Sequence, residues 1–283
     1  MGRVRELSTE VRRLRALLDG RDRQIADLGR DLAAARERAE RELRTAQRIQ
    51  VSLMPRTFPD LGPEWQVAAR YRAARSIGGD AYDVYPAHPG RAGQLGFGIA
   101  DVTGKGVTAA LLMAFCRAVM RSAAWNGTGP ADTLQRVNRV FARDVRSGLF
   151  VTALVAELTM DRAELCWASA GHEPPLLLRP GGRVVSLPAG GSMLGLFDPL
   201  DTVEHRRRLR PGETFVLLTD GITDAADRRG RRFGEVRLRR ALRATAGQGA
   251  EAALTGIVDA VDAFAGDTPQ ADDLTLLAIH RAG

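Results

Sequence analysis

The chain has 283 residues, of which 45% are hydrophobic and 27% are charged. This composition is typical of a globular protein with one large domain and an appendage. The formal net charge of +7 comes almost entirely from arginine, and aromatic residues make up only 5% of the chain. Because the arginines alternate with acids instead of clustering with aromatic residues, the composition argues against nucleic-acid binding. An acidic protein partner would fit the charge equally well.

Two cysteines, Cys116 and Cys166, lie in apolar contexts without a second cysteine or a histidine at ligand spacing. This predicts buried, reduced thiols in a cytoplasmic protein. The longest apolar run, residues 109–116, ends at Arg117 and is far shorter than the roughly 18 residues of a membrane span. The N-terminus is charged from Arg3 onward, which predicts no signal peptide and no membrane contact.

A heptad repeat extends over residues 4–53. Position a is occupied by Val4, Val11, Leu18, Ile25, Leu32, Ala39, Ala46 and Leu53, and position d by Leu7, Leu14, Arg21, Leu28, Ala35, Glu42 and Ile49. A 3.5-residue repeat of this length predicts a left-handed coiled coil. The g-to-e pairs Glu10–Arg15 and Asp31–Arg36 favour a parallel homodimer. The alternative is a single solvated helix that packs on its own domain.

Pro55 and Pro59 end this helix. The chain is therefore expected to contain a coiled-coil and linker helix at residues 1–55 and a second domain at residues 64–283. The predicted strands are residues 65–71, 95–100, 150–159, 165–169, 175–179, 184–187, 205–209, 214–218 and 274–280, and the predicted helices are residues 107–124, 131–146, 233–246 and 250–264. Hairpins are predicted between strands 150–159 and 165–169, 175–179 and 184–187, and 205–209 and 214–218. So many hairpin-connected strands favour antiparallel sheets packed against helices, an α+β fold, over a doubly wound parallel sheet.

Four aspartates stand at the ends of apolar runs, each in a short turn that contains glycine or a second acid. They are Asp80, Asp101, Asp220 and Asp272. A carboxylate at a buried strand end is costly to desolvate unless a positive group meets it, and four converging carboxylates repel one another. Hard divalent metals prefer oxygen ligands. The pattern therefore predicts a metal site made of carboxylates.

The segment DVTGKG, residues 101–106, follows an apolar strand and leads directly into a helix. The N-terminus of that helix adds partial positive charge beside Asp101. The spacing does not match a P-loop. Lys105 could approach a phosphate, although a solvated turn residue is the favoured interpretation.

Five segments resemble motifs of one enzyme family, in the same order. They are SIGGDAYD (76–83), IADVTGKG (99–106), ASAGHEPP (168–175), LTDGITDA (218–225) and ADDLT (271–275). The chain resembles the PPM-type (protein phosphatase 2C-like) metal-dependent serine/threonine phosphatases of the SpoIIE/RsbU branch, over roughly residues 47–279.

This resemblance implies an αββα sandwich with two Mn²⁺ or Mg²⁺ ions at one edge. Asp101 aligns with the acid that bridges both ions. Asp80 and the backbone carbonyl of Val102 align with ligands of one ion, and Asp220 and Asp272 align with the acids on the other. The resemblance further implies that the ions generate a bridging hydroxide, which attacks phosphorus in line without a covalent phosphoenzyme. The four aspartates are then the catalytic residues.

Two nearby residues have open roles. Asp273 is expected to lie behind the metal ligands, although the choice between Asp272 and Asp273 as ligand stays open. His172 could donate a proton to the leaving serine oxygen, but a structural role is favoured.

The resemblance implies a phosphoserine substrate on a STAS-domain anti-anti-sigma factor, in a partner-switching pathway. The helix through residues 47–55 is hypothesised to couple dimerisation to metal binding, because the heptads continue into the linker. One alternative is a catalytically weak, phosphatase-like module that acts by partner binding. Another, a dimerisation protein that binds calcium, is disfavoured because the sequence lacks an Asp-x-Asp-x-Asp-Gly loop.

Overall fold

The computed structural model describes residues 2–87, 93–145 and 148–283. Its contacts divide the chain into two compact units, Met1–Ile49 and Gln50–Gly283.

A single helix, α1 (Gly2–Leu53), accounts for the N-terminal unit and continues into the second one. Its surface carries ion pairs at i, i+4 spacing, such as Arg36 with Glu40 at 3.0 Å and Arg41 with Glu37 at 2.6 Å. Seven predicted seam residues are more than half exposed: Leu7, Leu14, Leu18, Ile25, Leu28, Leu32 and Ile49. The side chains of the predicted seam residues Val4 and Val11 lie outside the described part of the chain. The long N-terminal helix is thus confirmed, and it ends just before Pro55.

The second unit contains two five-stranded sheets in which every pairing is antiparallel. Sheet A has the order β1 (Trp65–Arg72), β10 (Leu274–Arg281), β9 (Thr214–Leu218), β6 (Leu176–Leu178) and β7 (Val184–Ser186). Sheet B has the order β2 (Ala81–Pro86), β3 (Gln94–Val102), β4 (Val151–Thr159), β5 (Glu164–Ala170) and β8 (Glu204–Arg208). The β4–β5 and β6–β7 hairpins are those predicted from the sequence.

Helices cover the outer face of each sheet. On sheet B lie α2 (Val107–Trp125) and α3 (Pro130–Asp144), and on sheet A lie α5 (Gly234–Ala244) and α6 (Gly249–Ala265). One short helix, α4 (Gly221–Asp224), follows β9 directly. The predicted end of α3 at Arg146 lies outside the described residues. The architecture is the predicted αββα sandwich.

The main core lies between the two sheets. Phe97 and Trp167 project from sheet B, Phe215 and Leu277 project from sheet A, and all four are buried. The rings of Trp167 and Phe215 meet across the layers with centroids 6.0 Å apart. A second core fills the space between sheet A and helices α5 and α6. Because sheet A packs on both faces, its central strands β10, β9 and β6 are buried along almost their whole length.

One predicted hairpin is wrong. β8 and β9 follow each other around Pro211 and Gly212, but β8 pairs with β5 in sheet B, whereas β9 pairs with β10 and β6 in sheet A. The reason lies in their side chains. β9 is completely buried and needs neighbours on both sides, whereas the arginine-rich β8 is suited to a sheet edge, which charged residues protect from unwanted pairing.

Helix α2 begins at the predicted residue and ends one residue later than predicted. Its 19 residues have a mean hydropathy of 1.4, enough in length and composition to cross a membrane. One of its faces, however, is buried against sheet B through residues such as Met113, Cys116 and Met120. In addition, Arg117 and Arg121 reach Asp83 of β2 at 3.1 and 2.8 Å. In this fold α2 therefore packs as a core helix, which passes the same test of length and composition.

Candidate active site

The four strand-end aspartates lie at the same end of the sandwich. Asp80 precedes β2, and Asp101 is close to the end of its antiparallel neighbour β3. In sheet A, Asp220 follows β9, and Asp272 comes shortly before the antiparallel β10. Antiparallel pairing places the start of one strand beside the end of the next. The two sheets thus bring residues that are up to 192 positions apart in the sequence to one edge.

The carboxyl groups influence one another electrostatically. Burial raises the pKa of Asp80 well above its ordinary value, and the charge of Asp101 raises it further. Burial, followed by the charge of Asp220, raises the pKa of Asp101 to about 6. Burial, followed by the charge of Asp272, raises the pKa of Asp220. Negative charge at this edge is therefore insufficiently compensated by the protein, which favours the binding of cations.

Two threonines of sheet A fix the orientation of Asp80. Thr219 Oγ1 donates a hydrogen bond of 2.7 Å to Asp80 Oδ2, and Thr275 Oγ1 donates one of 2.5 Å to the same oxygen. Sequence reasoning missed both threonines. The available signal was a threonine beside the acids in each of the LTDG and ADDLT segments.

Asp273 shapes the loop that carries Asp80. Its carboxylate accepts hydrogen bonds from the backbone amides of Ala74 at 2.8 Å, Gly79 at 2.7 Å and Asp80 at 3.3 Å. The side chain is buried, whereas that of Asp272 is 47% exposed. These bonds occupy both oxygens of Asp273, so the geometry favours Asp272 as the ligand and Asp273 as its support.

Gln50 holds the same loop from the last turn of α1. Its Nε2 donates to the carbonyl of Gly78 at 2.6 Å, and the amide of Gly78 donates to Gln50 Oε1 at 3.0 Å. The side chain of Gln50 is buried. No local pattern indicates this pair, because its partners are separated by 28 positions and by three prolines. Gln50 therefore links the end of α1 directly to the loop before Asp80.

Lys105 has partners at the site instead of pointing freely into solvent. Its Nζ lies 3.0 Å from Asp272 Oδ2 and donates to the carbonyl of Ala271 at 2.7 Å. Arg75 also lines the cleft beside Asp101 and Asp272. The favoured interpretation of Lys105 as a solvated turn residue is therefore replaced by that of a residue joining two loops.

The backbone of Val102 lies against the Asp80 loop. Its amide donates to the carbonyl of Gly79 at 3.3 Å, and a Cβ on Gly79 would lie only 2.8 Å from the carbonyl oxygen of Val102. The close approach requires glycine at this position. Val102 is therefore beside Asp80, where the resemblance placed it.

His172 contacts β4, the strand that pairs with the one carrying Asp101. Its Nδ1 is 2.8 Å from Thr152 Oγ1, and Thr152 pairs with Asp101 across β3 and β4. Burial lowers the pKa of His172 to about 4, so the ring is neutral near pH 7. A buried, neutral ring with a hydroxyl partner supports the structural role and not that of a proton donor.

The oxygen-only donor set fits hard divalent cations such as Mg²⁺ or Mn²⁺. Over residues 2–87, 93–145 and 148–283, however, no group of three or more His, Cys, Asp or Glu side chains is already arranged to hold a metal ion. The bonds described above explain this, because Asp80 faces Thr219 and Thr275 while Asp272 faces Lys105.

Replacing Gly78 by alanine should weaken metal binding. A Cβ on Gly78 would lie 2.0 Å from Asp273 Oδ2, so the carboxylate would have to leave the loop amides. Hydrogen bonds to charged groups contribute about 1.5–3 kcal/mol, so we expect Mn²⁺ affinity to fall roughly tenfold or more in isothermal titration. Gly181→Ala is the control, because a Cβ there meets nothing within 4 Å. Equal affinities for the two variants would contradict the role of Asp273.

In chelating buffer, stability should fall as pH rises from about 4 to about 6. The pKa of Asp101 is about 6 in the folded protein against an ordinary 3.8, so the folded state binds more protons than the unfolded state between these values. The free energy of unfolding therefore decreases with pH in this interval. Urea unfolding at several pH values should show a flatter profile for Asp101→Asn, with the exposed Asp161→Asn as control. Identical profiles for Asp101→Asn and the parent protein would exclude Asp101 as the source.

Comparison with known proteins agrees with this geometry. The family model Stage II sporulation protein E (SpoIIE) matches residues 91–282. The phosphoserine phosphatase RsbU of Bacillus subtilis is 28% identical over 200 residues, which are 70% of this chain and 58% of RsbU. The phosphoserine phosphatase RsbP of the same organism is 26% identical over 189 residues, which are 65% of this chain and 46% of RsbP. The chain thus spans about half the length of these curated relatives.

A solved structure extends the comparison to three dimensions. The SiaA-PP2C domain of Pseudomonas aeruginosa superposes with a TM-score of 0.75 at 26% identity, covering 89% of this chain and all of that domain. The PPM-type resemblance found in the motifs is therefore matched by the fold. Because the SpoIIE model matches more than half of the chain and the architecture is that of a PP2C domain, the protein belongs to the SpoIIE family of PPM-type phosphatases.

Proposed function

We propose that this protein is a metal-dependent protein serine/threonine phosphatase that hydrolyses phosphoserine. The observation that carries the proposal is the meeting of Asp80, Asp101, Asp220 and Asp272 at one end of the sandwich, with raised pKa values where their charges face one another. Family membership and the names of the two Bacillus relatives support the same reaction.

The positions of the acids suggest a division of roles. Asp101 interacts with Asp80, Asp220 and Asp272, so it is suited to contact two Mn²⁺ or Mg²⁺ ions. Asp80 and the carbonyl of Val102 would hold one ion, and Asp220 and Asp272 the other. Two such ions supply a water activated as a nucleophile at neutral pH and offset charge on the phosphoryl oxygens.

Residues around the cleft can attract the substrate and hold the proposed metal ligands in place. Lys105 and Arg75 line the cleft and can attract the phosphate dianion towards Asp101. Asp273 and Gln50 fix the loop that carries Asp80. These contacts orient the ligands before substrate arrives, which lowers the entropic cost of reaching the reactive geometry.

The thiols are not suited to act as nucleophiles. Burial raises the pKa of Cys116 to about 12 and that of Cys166 to about 11, so both stay protonated near neutral pH. A thiolate, and not a thiol, is the reactive form. This supports direct hydrolysis without a covalent phosphoenzyme.

We infer that the substrate is phosphoserine on a STAS-domain anti-anti-sigma factor, in a cytoplasmic partner-switching pathway. The phosphoserine specificity named for RsbU and RsbP supports the class of substrate. The STAS domain itself comes from the motif resemblance and is proposed on that basis.

Asp101→Asn should lower metal-dependent hydrolysis of p-nitrophenyl phosphate. Removing one electrostatic element of an active site typically costs a factor of roughly 10²–10³ in rate, and Asp101 interacts with all three other aspartates. The rates are measured with Mn²⁺ and with chelator, and Asp161→Asn serves as a matched control on an exposed turn. Equal rates for Asp101→Asn and the parent protein would favour the alternative of a phosphatase-like module that acts by partner binding.

We further propose a parallel homodimer through α1. The exposed leucine and isoleucine seam would be buried on dimerisation, and each such side chain contributes about 1.5–3 kcal/mol when fully buried. The double variant Ile25→Glu/Leu28→Glu should therefore halve the mass measured by light scattering. Arg30→Glu, on the same helix but outside positions a and d, should leave the mass unchanged. A parent protein that is already monomeric would contradict the dimer.

A further inference from the structure

An exposed apolar stripe follows one face of α2. Val107, Leu111 and Phe115 are 52%, 68% and 38% exposed, and their spacing of four residues places them on neighbouring turns of the same face. The opposite face of α2 is buried against sheet B. Large apolar side chains in a contiguous exposed row are typical of interaction surfaces.

A loop after the β6–β7 hairpin carries two further exposed apolar side chains. Leu196 and Phe197 are 39% and 59% exposed. The loop is fixed to α3, since Asn138 Nδ2 donates to the carbonyl of Phe197 at 2.8 Å. The same helix carries Phe141, whose ring contacts Phe115 with centroids 5.5 Å apart. Val107, Leu111, Phe115, Leu196 and Phe197 are called the apolar rim below.

Both parts of the apolar rim, on helix α2 and on the loop, are connected to the end of the sandwich that carries the aspartates. Helix α2 begins two positions after Lys105, which contacts Asp272. The loop is joined to the same strand ends, because Leu194 donates to the carbonyl of Val151 at 2.9 Å and Val151 pairs with Val102. With a rise of about 1.5 Å per residue, the stripe extends only about 12 Å from Val107 to Phe115.

We infer that the apolar rim is the docking surface for the folded phosphoserine protein that the enzyme dephosphorylates, which presents apolar side chains beside its phosphoserine. This inference rests on the proposed function. A phosphoserine side chain is short, so a folded substrate can reach the aspartates only if its own surface lies against the enzyme around the cleft. A standard interface covers about 800 Å² on each partner, a disc with a radius of about 16 Å, which exceeds the length of about 12 Å of the α2 stripe.

The position of the rim favours a substrate over a second copy of the chain. A second copy on the rim would sit beside the cleft and obstruct a phosphoprotein. The seam of α1 offers a separate apolar surface for dimerisation. Arg75 and Lys105 provide the cationic contacts that a phosphorylated surface needs next to the apolar ones.

The double variant Leu111→Ser/Phe197→Ser tests this surface with Mn²⁺ present. The substrates are a purified serine-phosphorylated STAS-domain protein and p-nitrophenyl phosphate, which is too small to reach the rim. We expect kcat/KM for the phosphoprotein to fall roughly tenfold or more, mainly through KM, as for the loss of central apolar contacts in an interface. The rate with p-nitrophenyl phosphate should stay within about twofold, which also shows that the variant is folded.

Val236→Ser is the matched control, because Val236 is 73% exposed on α5, which packs on sheet A. It should leave both rates unchanged. Equal loss with both substrates, or no loss with either, would overturn the inference. A fall in the mass of the parent dimer on introducing Leu111→Ser/Phe197→Ser would assign the rim to a second copy and also overturn it. A parent protein that hydrolyses neither substrate would instead refute the proposed function, and the inference with it.

Discussion

Repulsion among carboxylates at the shared end of two sheets is the constraint on which the site depends. Two unit charges 4 Å apart interact by about 4 kcal/mol at an effective dielectric constant of 20, so several acids at one edge need fixed compensation. The protein supplies part of it through the hydroxyls of Thr219 and Thr275 and the ammonium group of Lys105. Burial, followed by the remaining excess of negative charge, raises the pKa of Asp101. The same excess charge supports the affinity for divalent cations that we propose.

The site is also an interface between the sheets. Asp80 belongs to the start of β2 in sheet B, whereas the threonines that fix it and the Asp273 carboxylate that shapes its loop belong to or adjoin strands of sheet A. A local opening between the two sheets would break all of these contacts at once. The stability of the loop before Asp80 is therefore tied to that of the sandwich core.

The sequence was sufficient to predict the class of fold, and the four aspartates that it singled out lie at one end of the sandwich. Apolar strands of regular length ending in acidic turns are local patterns, and the order of five motifs identified the architecture. Strand partners are not local, which is why the predicted β8–β9 hairpin was wrong. β2 was missed because nearly all of its residues are buried, so the segment shows no polar–apolar alternation.

The sequence also could not predict the contacts that orient the site residues. Gln50 and Gly78 are separated by 28 positions, and nothing near Gln50 distinguishes it from other polar residues on a charged helix. Thr219 precedes Asp220, and Thr275 lies at the start of β10, but a threonine near an acid is common and does not by itself indicate a contact. Both threonines donate hydrogen bonds to the carboxylate of Asp80, which is about 140 or more positions away in the chain. Only the folded structure shows these bonds.

Lys105 gives the chain an unusual chemical selectivity. It is the single lysine among 283 residues, and it lies against Asp272 with its side chain 42% exposed. Reagents that acylate primary amines have one side chain to modify in the whole molecule, besides the terminal amino group. Among side chains, such a label reports on the edge that carries Asp272, because the many arginines that give the protein its charge do not react as amines.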